Sequence, residues 1–498
     1  NNYHKVNKDL RFWNILIGPW LHCFIVAYYE KSLLMRNLLK YKKKLKIPLI
    51  NYQEKKQIPK DFFSFFSNKL YSANWQNYLF TKIILKKKLN KNFKTYIKNG
   101  DRKENNIKKI KSEGLIFVFK KAVAKLFRLI FYTRIKSQKL VLFNTSLSLK
   151  NNLFLIFKNF SVPFQVEIDG VKNSPNISLR KFLSKLGNNK FNFYREIYEI
   201  AILNIPTDFL ENFSIIKKKI FKSNVARNPK VIFTANGILP LSYQTRYIAE
   251  CISSGTKLII AQHGGRYGNI KNFYHLEHEI KISDYFISWG KNINQKKVKN
   301  FGIIRPIKKI NYNQNKKKFN KSILFIMVTK GRFTRGVDSE ISLKKLYTYY
   351  NNLCPEFYAF LDKKNQNKLI YRSNKYNFWN EKEILLKNCK QAKIDFNHHD
   401  SNLFKAARDS KIAVCSYFST TFLELMAANI PVILFTPFSN EGYNSETIKI
   451  FNLLSKSKIF FKSHKEAANF INNNWNAIDS WWNSKKVQNS RKKLLDNF

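Results

Sequence analysis

A chain of 498 residues, 44% of them apolar and 15% aromatic, is long enough for two or three domains with buried cores and too apolar for a disordered polypeptide. Its formal charge of +58 invites a nucleic-acid reading, yet the 90 Lys and Arg residues are spread through a background of Asn, Ile, Phe and Tyr, as an A+T-rich coding sequence favours. No RNP, zinc-finger or basic-zipper signature accompanies them, which removes nucleic acid as the expected partner.

Lysine runs at 42–44, 86–88, 217–219 and 316–318 read as solvated faces or loops. A second reading of the same charge is attraction to an anionic membrane surface, where each lysine near the bilayer contributes about 1 kcal/mol. Five scattered cysteines (Cys23, Cys251, Cys354, Cys389, Cys415), with no CxxC pair, read as reduced and mostly buried thiols of a cytoplasmic protein.

The chain opens at Asn1 rather than methionine, so an amino-terminal piece, with any targeting signal, is expected to precede it. Residues 12–29 are nearly long enough to span a bilayer, but Asn14, Pro19 and His22 interrupt them and Glu30, Lys31 and Arg36 follow. A core helix starting near Pro19 is expected, with Trp13 and Trp20 leaving an interfacial anchor as the alternative. To about Phe160 the text is helical and Lys-rich, with one apolar stretch at 115–131.

A strand at 231–233, a helix at 241–251 after Pro240 and a strand at 257–261 then form a βαβ unit, with Gly255 at the helix C-cap. A strand at 285–289 closes this part. Residues 291–321, polar and rich in Lys and Asn, are the best linker. Beyond it come a strand at 322–328, a helix at 342–361, strands at 368–372, 411–415 and 431–436, and intervening helices at 401–407 and 421–428. Such alternation predicts a doubly wound parallel sheet. The expected architecture is α/β: two Rossmann-like domains facing a cleft, with a helical, Lys-rich amino-terminal part, divided as 1–300, 315–474 and a helical tail at 475–498.

Gln262, His263, Gly264 and Gly265 directly follow the strand at 257–261, at the carboxyl end of a parallel sheet, where ligands bind. Three of the 15 glycines (Gly264, Gly265, Gly268) fall within five residues, which predicts a sharp turn or a close backbone approach to a ligand. Downstream, Glu277 and Glu279 flank His278; one carboxylate could orient His263, although a solvated surface explains the run as well.

A second candidate site follows the strand at 411–415. The hydroxyl-rich loop of Ser416, Tyr417, Ser419, Thr420 and Thr421 opens a helix whose free N–H groups and dipole suit a phosphate. Thr421 and Glu424 also have the T-x-x-E spacing of a capping box, so an ordinary helix start is the even alternative. His398, His399 and Asp400 lack any metal-ligand spacing and read as a loop before the helix that follows, so no metal site is expected. Glu381 and Glu383 offer no glycosidase pair at a defined separation.

The segments QHGGRYG, HLEHE, SDYFISWG and SYFSTTFLELMAANIPVILF, with RFWNILIGPWL upstream, together resemble the transferases encoded in bacterial O-antigen and surface-carbohydrate loci. The resemblance runs from His4 to the carboxyl terminus, including Trp475, Trp481 and Trp482, with residues 41–222 matching only loosely. It implies the two-Rossmann-domain (GT-B) glycosyltransferase fold and a segment before Asn1. Arg266 stands where the family pattern favours glycine. More widely, STTFLE…NIPVI is similar to the nucleotide-side motif of CDP-glycerol glycerophosphotransferases and ulosonic-acid transferases, and QHGG to the HG motif that bears the proposed base of the former.

By that resemblance His263 deprotonates the acceptor hydroxyl, a role that an unperturbed pKa of about 6.5 suits, and the alternative is a histidine that only caps the strand. The donor's phosphates would lie on Ser419, Thr420 and Thr421, with Gln262, Gly264, Gly265 and Ser416 lining the cleft and the ribose on Glu424. Arg372, at a strand end, would help to stabilise the leaving phosphate without a metal or other cofactor. The expected function is a nucleotide-sugar-dependent glycosyltransferase of surface polysaccharide (O-antigen, lipopolysaccharide or capsule), cytoplasmic or peripheral at the inner face of the membrane. It would use a nucleotide-activated sugar and a glycan or lipid-linked acceptor. Two alternatives are transfer of a polyol phosphate from a CDP-linked donor, with attack on phosphorus, and a non-catalytic polyanion- or nucleic-acid-binding protein resting on charge alone.

Overall fold

The computed structural model of the protein describes residues 2–41, 45–89, 93–99, 131–168, 170–172, 174–187, 192–236, 238, 242–291, 293–307, 322–334, 336, 341–373, 377–395, 403–438 and 440–498. In the amino-terminal part β1 (Lys46–Asn51) pairs in parallel with β2 (Lys94–Asn99). A first parallel sheet then runs β3 (Leu140–Phe143), β4 (Val231–Thr234), β5 (Lys257–Ala261), β6 (Tyr285–Ser288) and β7 (Val298–Asn300), in that spatial order. The second sheet contains β8 (Ile323–Ile326), β9 (Leu369–Arg372), β10 (Lys393–Asp395), β11 (Ile412–Cys415), β12 (Val432–Phe435) and β13 (Phe460–Phe461). Its spatial order is β10-β9-β8-β11-β12-β13, again all parallel.

That order is the Rossmann order, in which the winding direction reverses between β8 and β11 and opens a crevice at their carboxyl ends. Strands β8, β11 and β12 are buried at every position because helices cover both faces, which is why they read as unbroken apolar runs. One core cluster lies on each side of this sheet. Ile270 and Trp289 of the first half belong to one of them, so the halves share apolar contact.

The βαβ reading of 231–261 holds, with the helix at Ser242–Ser253 and Gly255 at φ +96°, a conformation that favours glycine. The amino-terminal part is less purely helical than expected: β1, β2 and β3 are short and lysine-flanked, which hides their alternation. Residues 12–29 form two helices, Leu10–Leu16 and Gly18–Leu39, bent by 66°. Trp20, Cys23, Phe24 and Ala27 are buried, so the core reading holds over the interfacial one. Among the described residues no single helix is long and apolar enough to cross a membrane.

Two other expectations need correction. The helix at 342–361 is broken by a wide turn at Tyr349–Leu353, just before Pro355, whose missing N–H cannot continue the ordinary ladder. The linker is not uniformly solvated, since β7 joins the first sheet and Ile303, Ile304 and Ile307 pack on the second core. The apolar stretch at 115–130, the linker residues 308–321 and the run at 316–318 lie outside the described residues. In the tail, Trp482 packs on the second core, and it is the chain end that reaches back, with the Lys291 N–H donating to the Asn497 carbonyl at 3.1 Å.

Candidate functional site

β5 delivers Gln262 and His263 to the carboxyl edge of the first sheet. Gln262 is fully buried: its Nε2 donates to the Gly264 carbonyl at 2.7 Å and its Oε1 accepts from the Trp289 N–H at 2.8 Å. It therefore holds the turn after β5 in shape rather than offering polar atoms to a substrate.

His263 retains 26% side-chain exposure, and its Nδ1 lies 3.0 Å from the Tyr267 hydroxyl. The hydroxyl donates to Glu279 Oε1 at 3.0 Å, and that oxygen is 3.9 Å from His263 Nδ1. Burial pushes the imidazole pKa down to about 4, opposed by a hydrogen bond with the Ala235 backbone and assisted by the Arg305 charge. Burial likewise pushes Glu279 up to about 8, against the hydrogen bond from Tyr267. Its Oε2 has no partner among the described residues, and an unpaired buried carboxylate oxygen is costly while charged. The expectation of one carboxylate near His263 thus resolves to Glu279, acting through Tyr267. Glu277 is exposed, and two residues from Glu279 on the helix Tyr274–Ile282 it faces elsewhere. His278 is spent on the Asn14 carbonyl at 2.9 Å.

The glycine loop closes on the second domain. The Gly265 N–H donates to Thr420 Oγ1 at 2.8 Å, and a Cβ at Gly265 would stand 2.7 Å from the Thr420 backbone nitrogen. The close approach predicted from the glycines is made to the helix start of the second domain. Gly268 supplies the turn, with φ +70°. Beyond it Ile270 bridges Tyr443, and the Lys271 N–H donates to the Gly442 carbonyl at 3.0 Å.

On the second domain the helix is Thr420–Ala427, with Ser419 at the N-cap and no side-chain cap bond. The T-x-x-E capping box does not form: Thr421 lies inside the helix, and Glu424 pairs instead with Arg305 at 2.8 Å. Burial raises the Glu424 pKa and the Arg305 charge opposes it. Ser419 and Thr421 hydrogen-bond the Tyr417 hydroxyl. Ser416 is fully buried, donating to the Ile326 carbonyl at 3.1 Å and lying 2.7 Å from the Tyr349 hydroxyl, so it fastens the loop to β8 and is unsuited to substrate contact. Arg372, at the end of β9, pairs with Asp395 at 3.3 Å, and burial lowers its pKa while Asp395 raises it.

Three residues that sequence reading passed over complete the arrangement. Tyr267 stands four residues after His263 and was visible only as the aromatic of a glycine-rich turn. Arg305 belonged to the supposed linker; its signal was GIIRPI, an apolar patch inside a Lys/Asn-rich stretch. Ala235 contributes backbone only, which no side-chain pattern reports. Arg266, against the Phe273 ring at 5.4 Å, also brings its charge to bear on Tyr417.

Two hydroxyls at the helix start therefore have separable duties. Thr420→Val should leave the Gly265 N–H unpaired and cost about 1–3 kcal/mol in urea unfolding. Thr421→Val, which leaves the contact between the domains intact, should change stability by under about 1 kcal/mol. Equal stability losses for the two would erase that division. Among the described residues no group of three or more His, Cys, Asp or Glu could hold a metal ion. His398, His399 and Asp400 lie outside the described residues.

A histidine at the carboxyl edge of one Rossmann-like sheet, set against a helix terminus at the switch point of another, makes a two-domain Rossmann arrangement. The chain belongs to the LIC12162 family of transferases, whose model matches residues 1–498. No curated protein matches its sequence. Among solved structures it is similar to MurG of Acinetobacter baumannii at 11% identity and a TM-score of 0.34, over 75% of this chain and 94% of that one. A glycosyltransferase of Rickettsia africae is similar at 15% identity and a TM-score of 0.32, over 70% of this chain and 83% of that one. At these values the neighbours add nothing to what the sheet order already defines. The family assignment overturns the non-catalytic polyanion-binding alternative.

Proposed function

We propose that this transferase moves a sugar from a nucleotide-activated donor to a hydroxyl of a glycan or lipid-linked acceptor in surface-polysaccharide assembly, at the cytoplasmic face of the membrane. One observation carries the reading: His263, wired through Tyr267 to Glu279, stands at the loop contact with the Thr420–Ala427 helix start. The acceptor hydroxyl gives its proton to His263 as its oxygen attacks the anomeric carbon, and the nucleotide leaves with the bonding pair. The donor's phosphates lie toward Ser419, Thr421 and the helix amides, with Arg372 and Arg305 balancing the developing charge and Glu424 turned to the ribose. No resident metal or cofactor takes part. Support for the surface-carbohydrate setting comes from the motif resemblance, and for the membrane face from the charge of +58.

The test is a panel of CMP-, CDP-, UDP-, GDP- and dTDP-sugars, read by thermal shift and by donor hydrolysis in the presence and absence of EDTA. One sugar nucleotide should raise the melting temperature by mass action and be turned over at a rate EDTA leaves unchanged. Turnover of a CDP-polyol with no sugar nucleotide active would replace sugar transfer with attack on phosphorus.

The buried carboxyl adds a pH signature. Glu279 holds its proton until about pH 8, and only its ionised form places a negative charge 3.9 Å from the imidazole to favour the imidazolium. Turnover should therefore climb as pH rises toward 8, and Glu279→Gln should flatten the climb. A rate that is level from pH 6 to 9 in the wild type would remove Glu279 from the mechanism.

A further inference from the structure

The helix Leu149–Asn159 has no buried residue, although it is amphipathic and capped at both ends. Leu149, Leu153, Phe154 and Phe157 are 76, 41, 60 and 70% exposed, and Phe160 at the C-cap is 72% exposed. Their spacing gathers them on one side, since residues 149, 153, 157 and 160 recur every three or four positions. Polar bonds tie the two ends of the helix to the neighbouring chain. Asn152 Nδ2 donates to the Leu147 carbonyl at 3.1 Å, Thr145 Oγ1 donates to Asn152 Oδ1 at 2.6 Å, and Arg134 Nε donates to the Phe160 carbonyl at 2.7 Å. Phe160 sits at φ +47°, which normally favours Gly or Asn, so a bulky exposed ring is kept where a cheaper residue would close the helix.

Charge says what covers this face. Residues 131–166 contain Arg134, Lys136, Lys139, Lys150 and Lys158 and no Asp or Glu at all. A protein partner would have to match an outward row of Leu and Phe on a segment whose charges are all positive, whereas an anionic lipid surface matches both at once. Its place in the fold agrees. The helix follows β3 at the carboxyl edge of the first sheet, the edge that carries His263. Leu147, just before it, packs against the cluster containing Ala235, the backbone partner of His263. We infer that the Leu149–Asn159 helix lies in the interface of an anionic bilayer and seats the first domain there, so that a lipid-linked hydroxyl meets the His263 edge from the membrane side. This assigns a surface to the membrane contact proposed above, but it is testable without any donor.

The experiment is flotation of the full-length protein with vesicles of phosphatidylethanolamine and phosphatidylglycerol, against vesicles of phosphatidylcholine. The protein should float with the anionic vesicles, and added salt should weaken the binding without abolishing it, because screening acts on the lysines and not on the apolar face. The pair Phe154→Ser and Phe157→Ser should lower the bound fraction at least about tenfold, while Phe154→Leu with Phe157→Leu retains it. Both pairs should melt with the wild type, since the rings are exposed. Undiminished flotation of the serine pair overturns the inference. So does a wild type that fails to float, including one found by light scattering to be a dimer that the serine pair splits.

Discussion

His263→Asn should lower turnover by about 10²- to 10⁴-fold while donor binding and the melting temperature stay near those of the wild type. The asparagine amide keeps a polar side chain at the end of β5, facing Tyr267 and the Ala235 backbone, but cannot take a proton. The accompanying acid limb moves with the environment of the ring. A free histidine would lose activity as pH falls through about 6.5, whereas burial holds this imidazole neutral down to about 4, so the wild-type acid limb should appear between about pH 5 and 4. Tyr267→Phe is the companion measurement. It should remove the hydrogen bond that holds the Glu279 pKa down, moving the climb above pH 8 while leaving the acid limb in place. Near-normal turnover of the asparagine variant would leave His263 as a strand-end cap and return the search for a base to Glu279.

How far the sequence led depends on what kind of signal each element carries. Strands β4, β5, β8, β11 and β12 were legible because parallel strands buried on both faces read as unbroken Val, Ile, Leu and Phe. β7, with two exposed residues of three, carried no such mark, and the linker absorbed it. Gln262 and Ser416 read as ligand-binding residues, and Glu277 as a candidate to orient His263, because their types suit that work. Only coordinates distinguish a buried glutamine that braces a turn from one that reaches a substrate. Thr421 and Glu424 have the spacing of a capping box, one of the two readings left open for them, yet Glu424 pairs with an arginine 119 positions away in sequence, Arg305. Long-range pairings of this kind leave no trace in local spacing. The burial that moves His263 and Glu279 away from their ordinary titration ranges is equally invisible, and it changes the chemistry more than the identities of the residues do.

Gly265→Ala should be strongly disruptive at the seam between the glycine loop and the second domain. The added Cβ would stand 2.7 Å from the Thr420 nitrogen, 2.8 Å from the Ser419 carbonyl carbon and 2.8 Å from Leu423 Cδ1, distances that real Cβ atoms do not adopt. Two of the three obstacles are backbone at a helix start and cannot rotate aside. Relief requires the His263 loop to back away from the second domain, which stretches the Gly265–Thr420 hydrogen bond of 2.8 Å. Overpacking of this sort costs about 1–3 kcal/mol, and a displacement of about 1 Å between catalytic base and donor site costs on the order of 10²-fold in rate. Gly264→Ala is the internal control. Its Cβ would meet only Thr420 Oγ1, at 3.1 Å, a side-chain atom rather than backbone and one that needs to yield only a few tenths of an ångström. Neither glycine has a left-handed φ, so backbone strain does not separate the two. Turnover and urea unfolding should both fall well below wild type for the Gly265 variant and stay close to it for the Gly264 variant. Equal behaviour of the pair would mean that the closed contact between the glycine loop and the Thr420 helix is not the arrangement in which the enzyme works.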